Sequence, residues 1–217
     1  MKRIGVLLVA FAVWACAEPT TPDRECGGCY YSFADTFPPD TLIFHWPANR
    51  LPVRFWADPR GPMPRLVTYA VAAWEAQFLY GEFRGVIVSD SSHADVVITW
   101  QGTVPSDTAQ PDTSTSPACS GATTNPELFS DTSVHVLQIS VDVKAGYTDP
   151  AIAACVRRVT IHEMGHSLGL VRHSPYTLDL MNAVPVVNWP SAEDRRTIEV
   201  LYHTRATIVP PRRVMAA

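Results

Sequence analysis

The chain has no cluster of lysine or arginine, and its formal net charge is −4 at pH 7. Nucleic acid is therefore not an expected partner, because backbone binding needs a basic stripe. No internal repeat is present, so a solenoid or propeller is excluded. Long apolar runs are almost absent. The only one stands at the very start and is too short to span a bilayer as a stable helix. Cysteine is sparse, with 5 in 217 residues, and the sequence holds one CxxC with no second to complete a zinc ribbon. Apolar residues, by contrast, make up 47% of the chain. That is too much for a disordered protein and, at this length, enough for one cored domain with extra segments.

The initial run reads MKRIGVLLVAFAVWACAEP. Lys2 and Arg3 form a charged n-region and residues 4–15 an apolar h-region, the pattern of an export signal. Two cleavage readings are open. Ala15-Cys16-Ala17 suits an ordinary signal peptidase, with cleavage before Glu18. Val13-Trp14-Ala15-Cys16 resembles a bacterial lipobox, in which Cys16 is acylated and becomes the new N-terminus. The lipobox reading is preferred, with residues 1–16 as signal and a polar tether over 17–40. It places the protein outside a bacterial cytoplasm, anchored to a membrane through lipid on Cys16 or otherwise secreted. Losing Lys2 and Arg3 takes the formal charge to about −6.

Export implies an oxidising compartment. With Cys16 lipidated, Cys26, Cys29, Cys119 and Cys155 remain, and four cysteines allow three connectivities. Cys119 with Cys155 is the preferred pair, tying a long loop to a helix. Cys26-Gly-Gly-Cys29 can be a local disulfide, half of a metal site or a redox pair, and a local disulfide in the tether is the preferred reading.

The folded domain is expected over 41–207, followed by a short tail over 208–217. Val53 and Phe55 alternate with polar neighbours in a strand over 52–56. Leu66, Ala70, Ala73, Trp74 and Phe78 form one stripe of a helix over 64–80, with Pro64 in its first turn and Gly81 as its stop. Strands follow over 83–88 and 95–100. Residues 103–132, rich in Ser, Thr and Pro, read as a loop. Asp107, Asp112 and Asp131 in that loop match no calcium motif, so structural calcium is not expected. A strand over 135–141 precedes a helix from Pro150, capped by Asp149, to Leu168. Ser191 and Asp194 have the spacing of a capping box for a final helix that buries Ile198, Leu201 and Tyr202. The order is that of an α+β fold: a small twisted mixed sheet packed by helices. A monomer is expected.

Residues 162–181 read HEMGHSLGLVRHSPYTLDLM. His162 and His166 are four apart, so a helix brings both rings to one face, where both can hold one ion. Zinc suits imidazole nitrogen. Glu163, beside the first ligand, can accept a proton from a water that the metal acidifies. A catalytic site needs a third protein ligand and an open position. Gly169 stands where the chain leaves the helix and turns. The pattern HExxHxxGxxH wants a histidine at 172, but Arg172 stands there and His173 follows. A guanidinium stays protonated and has no lone pair to give. His173 is therefore the expected third donor, with Asp179 as its nearest competitor.

HEMGHSLGL, then His173-Ser174, then Leu180-Met181, resembles the metzincin zinc endopeptidases, and within them the matrixin-like branch. The HS pair and a methionine eight residues beyond the third histidine match that branch, with one residue inserted between Gly169 and His173. The resemblance implies a metzincin-like catalytic domain with one zinc ion on His162, His166 and His173. It also implies Glu163 as general base and then general acid, Met181 as the hydrophobic floor, and a protein or peptide as substrate. Residues 183–189 would form one wall of the substrate pocket. No tyrosine stands two residues after Met181, so the tyrosine that assists catalysis in some metzincins has no counterpart. Asp179 has two readings, as a partner for a ligand histidine or as a turn cap. His45, His93, His135 and His203 have no motif around them. Two rivals remain: a gluzincin-type peptidase using Glu193 or Glu199 as third ligand, and a binding protein of metzincin fold without turnover.

Overall fold

A computed structural model describes residues 30–37, 40–101, 119–124, 126, 129, 136–143 and 150–211. The expected signal with Cys16, the Cys26–Cys29 pair, Asp107, Asp112, Asp131, His135 and the Asp149 cap lie outside the described residues.

Five strands make the main sheet: β3 (Val53–Ala57), β4 (Gly85–Ile87), β5 (Val96–Gln101), β6 (Cys119–Thr123) and β7 (Leu137–Val143), in the order β4-β3-β5-β7-β6. The first four in that order run parallel, and β6 pairs antiparallel with β7. A separate two-stranded antiparallel sheet joins β1 (Asp35–Phe37) to β2 (Asp40–Leu42). The helices are α1 (Met63–Glu75), α2 (Pro150–Ser167) and α3 (Ala192–Tyr202). Among the described residues the architecture is α+β, with a mixed sheet and three α-helices, as expected.

The strands follow their two-residue period. Val53 and Phe55 in β3, Val96 and Ile98 in β5, and Leu137, Ile139 and Val141 in β7 are buried, each alternating with a more accessible neighbour. α1 buries Leu66, Val67, Ala70, Ala73 and Trp74, and the Trp74 indole donates to the carbonyl of Ile161 in α2 at 2.8 Å. The two helices are thus bound to each other directly. Together with the sheet they enclose the core.

Several boundaries differ from expectation. α1 stops at Glu75, short of the expected end at Tyr80. The Gln77 amide donates to Ala73 O at 2.8 Å, and Phe78 leaves the helical path to pack on Phe83 and Tyr202, with ring centroids 5.7 and 4.8 Å away. β4 is shorter than 83–88, because Phe83 turns into the core and Glu75 accepts from Gly85 N at 2.8 Å. β7 lies two residues later than expected. β6 falls inside the stretch expected as a loop.

The domain also begins and ends beyond 41–207. Tyr31 is buried within the stretch assigned to the tether, with its hydroxyl 2.7 Å from Asp194. Ile208 is buried too, and bridges Phe44. These docked segments carry few of the periodic apolar residues that signal structure.

Candidate metal centre

One helix, one glycine and one turn bring the three histidines together. α2 presents His162 and His166 one turn apart, with ring centroids 4.7 Å from each other. Two residues after α2 ends, Gly169 adopts φ +113°, and a Cβ there would lie 2.0 Å from the carbonyl oxygen of Phe44. Only glycine takes both the angle and the space. The chain then returns, and His173 stacks on His162 at 5.3 Å and meets His166 edge-on at 5.0 Å. Donor atoms of all three lie within 4.8 Å of one another. Arg172 is exposed and outside this group. Glu193 and Glu199, both half-buried, also lie outside it, the latter paired with Arg195 at 3.2 Å.

Backbone carbonyls fix two of the rings. His162 Nδ1 stands 2.7 Å from Leu180 O, and His166 Nδ1 stands 2.6 Å from Leu170 O. A carbonyl can only accept, so each Nδ1 carries the proton and each neutral ring keeps its lone pair on Nε2. The two Nε2 atoms face each other at 3.1 Å. Two lone pairs at that distance repel, and a cation between them removes the repulsion. Nitrogens about 2.0–2.1 Å from a tetrahedral zinc ion stand about 3.3 Å apart. The donor set fits such an ion.

Burial also sets the charge state. It pushes His162 down to about 4 and His166 down to about 3, and it lowers His173 as well. Charge on a neighbouring imidazole adds to the depression at His162 and His166. All three rings are neutral at pH 7, the form in which imidazole binds metal.

Glu163 is 5% exposed, and burial pushes its carboxyl up to about 7, partly offset by a hydrogen bond from Thr123. Thr123 Oγ1 lies 2.6 Å from Glu163 Oε2 and 2.9 Å from Glu163 O. β6 comes this close because Gly121 faces the helix. A Cβ there would fall 2.5 Å from Glu163 Cγ and 2.6 Å from Val159 Cγ1. A disulfide between Cys119 and Cys155, the preferred pairing, ties the strand to α2. A cavity of about 300 Å³ opens here, lined by Gly121, Thr123, Glu163, His166, Val171 and His173 among others.

Met181 is fully buried, and its sulfur would lie 2.5 Å from a Cβ at Gly165, between the two helical histidines in sequence. Asp179 bridges two serine side chains. It accepts from Ser174 Oγ and from Ser191 Oγ, the latter at 2.7 Å, and no bond joins it to a ligand histidine among the described residues. Residues 183–189 do not line the cavity. Arg158 holds them instead, through Pro185 O at 3.0 Å and Asn188 Oδ1 at 3.2 Å.

Thr123 and Gly121 carry no signal in the sequence, because CSGAT has no bulky alternation to mark a strand. The carbonyls of Leu170 and Leu180 leave no signal either, since a backbone acceptor is the same at every residue. Compared with known proteins, the chain matches no family model and no curated protein.

Proposed function

We propose that this chain is a zinc-dependent endopeptidase of metzincin, matrixin-like type, exported by way of its N-terminal segment. The observation that carries the reading is the facing pair of Nε2 lone pairs at 3.1 Å, with His173 closing the group. A general base adjoining that group, and a cavity large enough for a substrate side chain beside it, support hydrolysis rather than simple metal storage.

His162, His166 and His173 would hold the ion. When bound, zinc supplies Lewis acidity, polarising a carbonyl and making a water acidic near neutral pH. Glu163 then does the proton work. Thr123 orients the carboxylate through Oε2, and the proton taken from the attacking water would reside on that carboxylate and pass from there to the departing amine. Burial raises the proton affinity of this carboxyl, which favours its role as acceptor, and the charge of a bound ion would draw it back down and so favour release of the proton to the amine. Met181, packed on Gly165 between the two helical histidines in sequence, would floor the site. The substrate is a protein or peptide, and the reaction is hydrolysis of its amide bonds.

The test joins metal analysis to peptide cleavage. Purified protein should hold one zinc ion after dialysis and cut a peptide library, and Glu163→Ala should keep the ion while losing cleavage by orders of magnitude. Full cleavage by that variant would reject the mechanism. Stoichiometric zinc without any cleavage by the unaltered protein would favour the non-catalytic binding protein.

A further inference from the structure

We infer that Thr123 is a positioning residue, whose hydroxyl holds the Glu163 carboxylate in its working orientation. The inference rests on the peptidase reading above and adds a residue to it from outside the HExxH segment.

Three observations converge. Thr123 Oγ1 lies 2.6 Å from Glu163 Oε2, a distance typical of a bond to a carboxylate, and it supplies the only side-chain hydrogen bond to that carboxylate among the described residues. The carboxylate borders the cavity, and its last torsion has a broad, shallow preference, so without a partner it would sample many orientations. The surroundings also keep this contact close. Gly121 leaves no room for a side chain between β6 and α2, and the Cys119–Cys155 disulfide ties the start of the strand to the helix. A strand of small residues, apposed this closely and carrying one hydroxyl toward the base, serves Glu163 more directly than it serves the core.

A competing role is purely structural. The same hydroxyl lies 2.9 Å from the backbone carbonyl of Glu163, and a single proton could serve there to fasten strand to helix. The two roles differ in what happens to the carboxylate when the hydroxyl is removed.

The experiment compares the zinc-loaded protein with Thr123→Val, Thr123→Ser and Thr123→Ala, by crystallography and by kinetics. Thr123→Val should leave zinc content and KM unchanged, lower kcat about tenfold to a hundredfold, and show the Glu163 carboxylate displaced or in several positions. Thr123→Ser should restore both kcat and a single carboxylate position. If Thr123→Val does not fold, Thr123→Ala is read in its place. An unmoved Glu163 in the variant lacking the hydroxyl overturns the inference, whether or not kcat falls. So does a displaced Glu163 with unchanged kcat. If the unaltered protein cleaves nothing, the peptidase reading falls, and the crystallographic comparison alone decides whether Thr123 holds the carboxylate.

Discussion

Glu163→Gln should make the metal-free domain more stable at alkaline pH while abolishing its chemistry. The carboxyl is 5% exposed, and burial raises it from 4.5 to about 7. In the unfolded chain the same group titrates near its ordinary value. A raised pKa in an acid means that the fold disfavours the charged form. Above about pH 7 both states are ionised, and the fold carries the whole cost of a buried charge. Below about pH 4.5 both are protonated and the cost is gone. The rise spans between two and three decades in proton affinity, each worth about 1.4 kcal/mol, so the cost at pH 8 is about 3 kcal/mol. A glutamine keeps the shape, can accept from Thr123 through its carbonyl oxygen, and carries no charge.

Chelator-treated Glu163→Gln should therefore exceed the unaltered domain by about 2–3 kcal/mol at pH 8, and by less than about 1 kcal/mol at pH 5. The buried histidines titrate in both proteins, so their contribution cancels in the difference. Urea unfolding at the two pH values measures it, with equal slopes as the check that the unfolded states match. A variant no more stable than its parent at pH 8 would refute the reasoning. So would an advantage that stays constant with pH, since burial of charge is the only source invoked.

Three further outcomes are expected. His173→Ala should lose most of its zinc after dialysis and all cleavage, while Arg172→Ala keeps both, and the opposite pattern would move the third ligand elsewhere. Because burial lowers all three histidines below 6.5, each is still mostly neutral at that pH, so acid release of bound zinc should have its midpoint below pH 6.5. Release already near pH 6.5, read by metal analysis of equilibrated samples, would contradict the burial argument. Cys155→Ser opens a disulfide that spans 36 residues and should cost about 3–4 kcal/mol, seen as a lower thermal midpoint, whereas an unchanged midpoint would mean the strand is held without it.

The parts legible in the sequence are those in which a residue's role depends on its near neighbours. Helical spacing puts His162 and His166 on one face, the Gly169 turn needs an angle that only glycine adopts freely, and Arg172 is set aside for its lack of a lone pair. The strands with bulky alternation, β3, β5 and β7, are legible for the same reason. The parts that are not legible depend on what lies across the fold. The end of α1 is set by Phe78 reaching Phe83 and Tyr202, so a local reading carries the helix on toward Gly81. β6 is a strand because β7 pairs with it and α2 leaves room only for small residues, neither of which is visible in CSGAT.

Asp194 shows how the two kinds of information meet in one residue. Its spacing from Ser191 announces a capping box, and the box is present, with Ser191 N 2.8 Å from Oδ2 and Asp194 N 2.9 Å from Ser191 Oγ. A capping box uses one acceptor site of a carboxylate that has about four. Here the others accept from Leu180 N at 2.7 Å, from Met181 N at 3.3 Å, and from the Tyr31 hydroxyl at 2.7 Å. Leu180 is thus held through both its backbone groups, since its carbonyl accepts from His162 Nδ1. A helix start, the buried methionine, the docked N-terminal segment and one histidine of the candidate metal centre are joined through a single side chain. The local signal is correct and incomplete, because it specifies the donor nearest in sequence and leaves the fold to supply the other three.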